Sequence, residues 1–173
     1  CIKDMAGMLT PYRTERMVNA ALSNGLTPFL TTEGGVNSGY MIVQYSAASM
    51  VSENKVLAHP ASVDSIPSSA NQEDMVSMGT TAARKSGWIV QNTLSVLADE
   101  LLTACQAIDI RRRLNTHGQG ISPVHQKVFD RVRKDIAFYE TDRELWQDIQ
   151  AAEKLVRSGE LLEIVHETVA DFE

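Results

Sequence analysis

Between residues 40 and 108 the chain holds two long apolar segments separated by one polar stretch. In the first, Tyr40, Met41, Ile42, Val43, Tyr45, Ala47, Ala48, Met50 and Val51 leave almost no polar face. A helix apolar all round belongs inside a bundle. Ser46 to Ser49 are small enough to let neighbouring helices approach closely. Polar residues return at Ser52, Glu53, Asn54 and Lys55, so the pattern predicts a helix from Met41 to about Val56, capped by Asn37 or Ser38. The second segment, Thr80 to Ile108, has few charges and no proline. It predicts one long central helix, weakened at Gly87 by about 1 kcal/mol relative to alanine.

The flanks carry shorter, amphipathic patterns. Thr10-Pro11 reads as a cap followed by proline at the first helical position, with Met17, Val18, Ala21 and Leu22 on one face and Asn24-Gly25 as the stop. Pro28 to Gly35 reads as an irregular connection. Arg111-Arg112-Arg113 suits the end of the long helix, where cations compensate the dipole. Asn115-Thr116-His117-Gly118-Gln119-Gly120 is the clearest breaker in the chain. Ser122-Pro123 then starts a helix with Val124, Val128, Val132 and Ile136 every fourth residue. Another carries Leu145, Ile149, Ala152 and Val156 and stops at Ser158-Gly159, and a last one carries Leu161, Val165, Thr168 and Phe172. No internal repeat and no extended strand signature stands out. The expected fold is therefore all-α: one helical domain over 1–173, with long central bundle helices in 1–114 and shorter outer helices in 121–173.

The polar stretch from Ile66 to Gly79 concentrates two carboxylates, two amides and several hydroxyls where a connection would need only a few turn residues. One reading is a capped loop. Pro67 ends the preceding element, Ser69 or Asn71 caps the next helix, and Glu73 and Asp74 sit in its first turn. The other reading is a site.

Composition narrows the classes. A net charge of −6 argues against nucleic acid, which needs clustered Lys and Arg. No apolar run reaches the roughly 18–20 residues of a membrane span. Two cysteines, Cys1 and Cys105, are too few for a disulfide framework, and Cys105 lies in an apolar helical run where it should behave as a buried hydrophobe. A soluble cytoplasmic protein is expected. The four histidines are scattered without ligand spacing, so no metal site is expected, and His59 before Pro60 reads as a capping or buried group.

Three strings in order, Gly34-Gly35-Val36-Asn37-Ser38-Gly39-Tyr40-Met41, His59-Pro60-Ala61-Ser62-Val63-Asp64-Ser65 and Ile66 to Gly79, closely resemble the aromatic amino acid ammonia-lyases, and among them the histidine ammonia-lyases. The resemblance implies a fumarase/aspartase-like helical core, a homotetramer, and elimination of ammonia from L-histidine to give urocanate. It also implies a methylidene-imidazolone electrophile made by cyclising an internal Ala-Ser-Gly. No Ala-Ser-Gly occurs here: the three Ser-Gly pairs follow Asn37, Lys85 and Arg157. The chain, which begins at Cys1 without an apolar leader, thus resembles the C-terminal part of such an enzyme without its electrophile segment. By motif, the resemblance makes Glu73 the functional carboxylate within an active-site loop at 62–79. Asn71 and Gln72 would support electrophile and substrate, Met41 would line the cavity, and Ser68 would face it. A phenylalanine or tyrosine ammonia-lyase, an aminomutase, and a non-catalytic helical assembly module are the alternatives.

Overall fold

The computed structural model describes residues 11–114 and 120–169. Among the described residues six helices follow one another: α1 (residues 11–18), α2 (Met41–Leu57), α3 (Gly79–Leu114), α4 (Pro123–Asp135), α5 (Trp146–Ser158) and α6 (Glu160–Thr168). Short 3₁₀ turns lie at Pro28–Leu30 and Ala61–Val63, and the described residues form no strand beyond isolated bridges. With 36 residues, α3 is about 54 Å long and is the spine of the molecule. It packs along α2 on one side and α5 on another, while α4 leans on α5 and α6.

The core follows from the apolar stripes. Ala98, Leu102, Cys105 and Ile110 of α3 meet Val43 of α2, Val132 of α4, and Ala152 and Leu155 of α5 in one continuous cluster. Ala47, Val51 and Val96 form a smaller one between α2 and α3. Burial pushes the Cys105 thiol up to about 11, which suits a small inert hydrophobe. Gln106 of α3 is also buried, and it is fully used. Its amide donates to the Leu30 carbonyl at 3.2 Å and the Tyr139 carbonyl at 2.9 Å, and its oxygen accepts the Tyr139 amide at 3.1 Å.

Most element boundaries agree with the hydrophobic pattern. Arg111, Arg112 and Arg113 occupy the last turn of α3, Ser122 caps α4 with Pro123 behind it, and Gly159 ends α5 at φ 79°. Three expectations need correction. The first helix stops at Val18 instead of running on through Leu22, which is 52% exposed. Asn19 is the cause: its side-chain oxygen takes the Ala21 amide at 3.0 Å, and its carbonyl takes those of Leu22 and Ser23, diverting the backbone into a turn.

Secondly, neither Asn37 nor Ser38 caps α2. Tyr40 occupies the N-cap and makes no side-chain capping bond. The preceding amides are taken instead by Asp142, from the α4–α5 connection. Thirdly, α2 is buried only along Val43, Ala47, Val51 and Asn54, and it leaves Ile42, Tyr45 and Val56 exposed. Thr10, Phe172 and most of the 115–120 breaker lie outside the described residues.

Candidate functional site

The stretch from Ala58 to Met78 connects α2 to α3 and is exposed along nearly its whole length. Pro67 restricts Ile66 to extended backbone, and the chain then folds back on itself. Ser68 and Glu73 pair as an antiparallel bridge: the Ser68 amide donates to the Glu73 carbonyl at 2.8 Å, and the Glu73 amide donates to the Ser68 carbonyl at 3.2 Å. The Gln72 amide donates to the Ser69 carbonyl at 3.1 Å, closing a tight turn over Ser69, Ala70, Asn71 and Gln72. A second clamp comes from Ser65, whose hydroxyl donates to the Asp74 carbonyl at 3.0 Å and accepts the Val76 amide at 2.9 Å. Met78, at φ 52°, then turns the chain into α3.

This geometry overturns the capped-loop reading. The helix begins at Gly79 with no acidic residue in its first turn, so Glu73 and Asp74 do not serve its dipole. The turn is also strained. Ser69, Ala70 and Asn71 stand at φ 51°, 53° and 67°, and none is glycine. Left-handed backbone costs a residue with a β-carbon about 1–2 kcal/mol, least for Asn. Consecutive strained residues of this kind concentrate at functional sites.

Four of the five expected site residues therefore come together. Ser68, Asn71, Gln72 and Glu73 occupy one exposed hairpin, and the side chains of Asn71, Gln72 and Glu73 make no hydrogen bond to another described residue. Met41 is placed apart from them. It is half-buried in the first turn of α2, whereas the hairpin follows the far end of that helix, about 24 Å along its axis. A cleft of about 550 Å³ lined by Arg13, Met17, Leu26, Ala104 and Arg111, among others, lies elsewhere and shares no residue with the hairpin. Among the described residues no three His, Cys, Asp or Glu side chains converge to hold a metal ion.

Sequence reasoning assigned no role to two residues that shape these surfaces. Ser65 fixes the return limb of the hairpin, and Asp142 fixes the start of α2. Asp142 had no local signal, because its partners lie 104 and 103 residues away. Chemically, the hairpin presents two amides, able to donate and accept, beside a carboxylate able to hold an ammonium group or exchange a proton.

Comparison with known proteins places this geometry in a family. The family model described as aromatic amino acid lyase matches residues 2–134. Histidine ammonia-lyase 1 of Fusobacterium nucleatum is 53% identical over 172 residues, covering 99% of this chain and 32% of that protein. The histidine ammonia-lyase of Caldanaerobacter subterraneus is 54% identical over 159 residues, covering 92% of this chain and 30% of that protein. Among solved structures, histidine ammonia-lyase from Trypanosoma cruzi superposes with a TM-score of 0.85 at 41% identity, over 97% of this chain and 33% of that one. Tyrosine aminomutase from Streptomyces globisporus superposes at 0.87 with 32% identity, over 99% of this chain and 32% of that one. The chain thus spans about a third of the length of these relatives and resembles the C-terminal part of the histidine ammonia-lyases. On the family match over most of its length, and on the helical fold it shares with these structures, the chain belongs to the aromatic amino acid lyase family.

Proposed function

We propose that this chain forms part of an ammonia-lyase that eliminates ammonia from L-histidine to give urocanate, with the Ser68–Glu73 hairpin as its contribution to the active site. The observation that carries the reading is the hairpin itself: a strained, exposed turn whose three polar side chains at 71–73 make no hydrogen bond among the described residues. Identities above 50% to histidine ammonia-lyases over nearly the whole chain support histidine as the substrate.

In this reading Glu73 holds the substrate amine as a carboxylate and takes or returns a proton as the carbon–nitrogen bond breaks. Asn71 and Gln72 orient substrate and electrophile through their amides. Met41, about 24 Å from the hairpin of its own chain, would line the cavity completed by the hairpin of another copy in the proposed assembly, and Ser68 pins the base of the turn. The electrophile, a methylidene-imidazolone from an Ala-Ser-Gly outside this sequence, would draw electrons from the amine. The amides of Asn71 and Gln72, which bond no other described side chain, fit such a group, whose ring carbonyl oxygen would need donors. The enzyme is proposed to be a cytoplasmic homotetramer. The exposed apolar residues of α2, together with Trp88 and Val90 on α3, support assembly with further copies. Alone, the polypeptide should fold as a helical module and turn nothing over.

A second reading, an aminomutase, is favoured by the tyrosine aminomutase superposition. Incubating the family-length enzyme that carries this sequence with histidine, tyrosine and phenylalanine separates the two. Urocanate from histidine, with no β-amino acid from tyrosine, is expected. A β-amino acid product, or an α,β-unsaturated acid from tyrosine or phenylalanine alone, would contradict the histidine assignment.

A further inference from the structure

We propose that Asp142 is a positioning residue for the first turn of α2, fixing Met41 as part of the substrate cavity wall; the inference rests on the reading of Met41 as a cavity residue. The start of α2 has no side-chain cap of its own, and the two amides just ahead of its N-cap Tyr40, those of Ser38 and Gly39, are held from outside the segment. Asp142 accepts both of them, one with each carboxylate oxygen. Oδ2 accepts the Ser38 amide at 2.7 Å and Oδ1 accepts the Gly39 amide at 3.0 Å. The contact is reciprocal, because the Asp142 amide donates to Asn37 Oδ1 at 3.0 Å. These are the residues two to four positions ahead of Met41.

The surroundings restrict this junction to one geometry. The Tyr139 hydroxyl donates to Asp142 Oδ1 at 3.3 Å, and its ring stands edge-on to buried Tyr40 with centroids 5.6 Å apart. The Tyr40 amide donates to the Phe29 carbonyl at 2.8 Å. Gly39 sits at φ 58°, and a β-carbon there would lie 2.4 Å from the Phe29 carbonyl oxygen. Gln106 ties both the Leu30 and the Tyr139 backbone to α3. Asp142 is the charged acceptor of this junction, and the Arg143 guanidinium lies 5.3 Å from the Tyr139 ring centroid beside it. The Ser38 amide, followed by other hydrogen bonds, holds its carboxyl below the usual range, so it stays ionised where the positive end of a helix favours an anion.

The test compares Asp142→Ala, Asp142→Asn and Asp142→Glu in the family-length enzyme, reading KM and kcat for L-histidine and amide hydrogen exchange at residues 37–41. Displacing a cavity wall without removing a chemical group should raise KM about tenfold in Asp142→Ala while kcat falls less than about threefold, with exchange at Ser38 and Gly39 accelerated about 100-fold. Asp142→Glu should recover part of KM. Asp142→Asn, which keeps the size and one acceptor, should show a smaller shift of the same kind and serves if the alanine variant does not fold. Arg131→Ala, which breaks surface pairs to Asp135 and Glu160, should leave KM unchanged. Loss of thermal stability alone, with KM and kcat within about twofold of wild type, would overturn the proposal. If the wild-type enzyme ignores histidine, the reading of Met41 fails separately. Unchanged exchange at Ser38 and Gly39 would then overturn the anchoring role as well.

Discussion

Asp99 shows what a hydrophobic pattern conceals. It follows Ala98 and precedes Glu100 in α3, and nothing in the sequence separates the two acids. The structure separates them sharply: Glu100 pairs with Arg13, whereas Asp99 is fully buried with neither carboxylate oxygen hydrogen-bonded. Burial, with the negative charge of Glu153 adding to it, pushes the Asp99 carboxyl up to about 7. The unfolded chain would titrate near the ordinary value of about 4. The folded state therefore holds a proton that the unfolded state has released. Stability from this site is intact below about pH 4, declines as pH rises towards 7, and is lost above it, by an amount on the order of 4 kcal/mol. Thermal unfolding of the chain should show a midpoint that falls between pH 5 and pH 8. Asp99→Asn should flatten that slope, and parallel profiles for the two proteins would refute the assignment. Glu73 and its neighbours gave the opposite case. Their residue types were legible as a cluster, but the strain at Ser69 and Ala70 was not, because neither residue signals positive φ.

At the scale of elements, helices were legible wherever one apolar stripe met a local stop signal. α4 and α5 followed from Ser122-Pro123 and Ser158-Gly159, whose effects act within a turn. The ends that sequence misplaced depend on side chains reaching the backbone. Asn19 stopped α1 early, and ahead of α2, whose N-cap is Tyr40, Asp142 holds the amides of Ser38 and Gly39. Two glycines make this distinction measurable. Gly39→Ala would drive a β-carbon into the Phe29 carbonyl oxygen in left-handed backbone, so it should destabilise the chain by more than about 2 kcal/mol. Gly87→Ala, inside α3 with nothing within 4 Å, should stabilise it by up to about 1 kcal/mol. Denaturant unfolding of both variants checks the pair. Equal effects would mean that the close approach at Gly39 is not maintained in solution.

Over the whole molecule, the all-α class and the long central helices could be read from apolar continuity alone. What that continuity could not tell is which faces this chain covers by itself. The α2 pattern called for burial on all sides, yet Tyr45 is 61% exposed and Val56 73%. Trp88 and Val90, in the first half of α3, are also uncovered. Such a surface should drive self-association, so sedimentation of the chain should show species larger than a monomer at high concentration. A clean monomer would mean that these faces repack. Purified alone, the chain should release no urocanate from histidine, since its sequence contains no Ala-Ser-Gly. The central claim is that the hairpin acts chemically through Glu73. Its most direct test is histidine turnover by the family-length enzyme carrying Glu73→Gln or Asp74→Asn, two exposed neighbours in the same loop. Glu73→Gln should lower kcat by at least about 100-fold with little change in stability, while Asp74→Asn leaves turnover nearly intact. Equal, small effects of the two substitutions would contradict it.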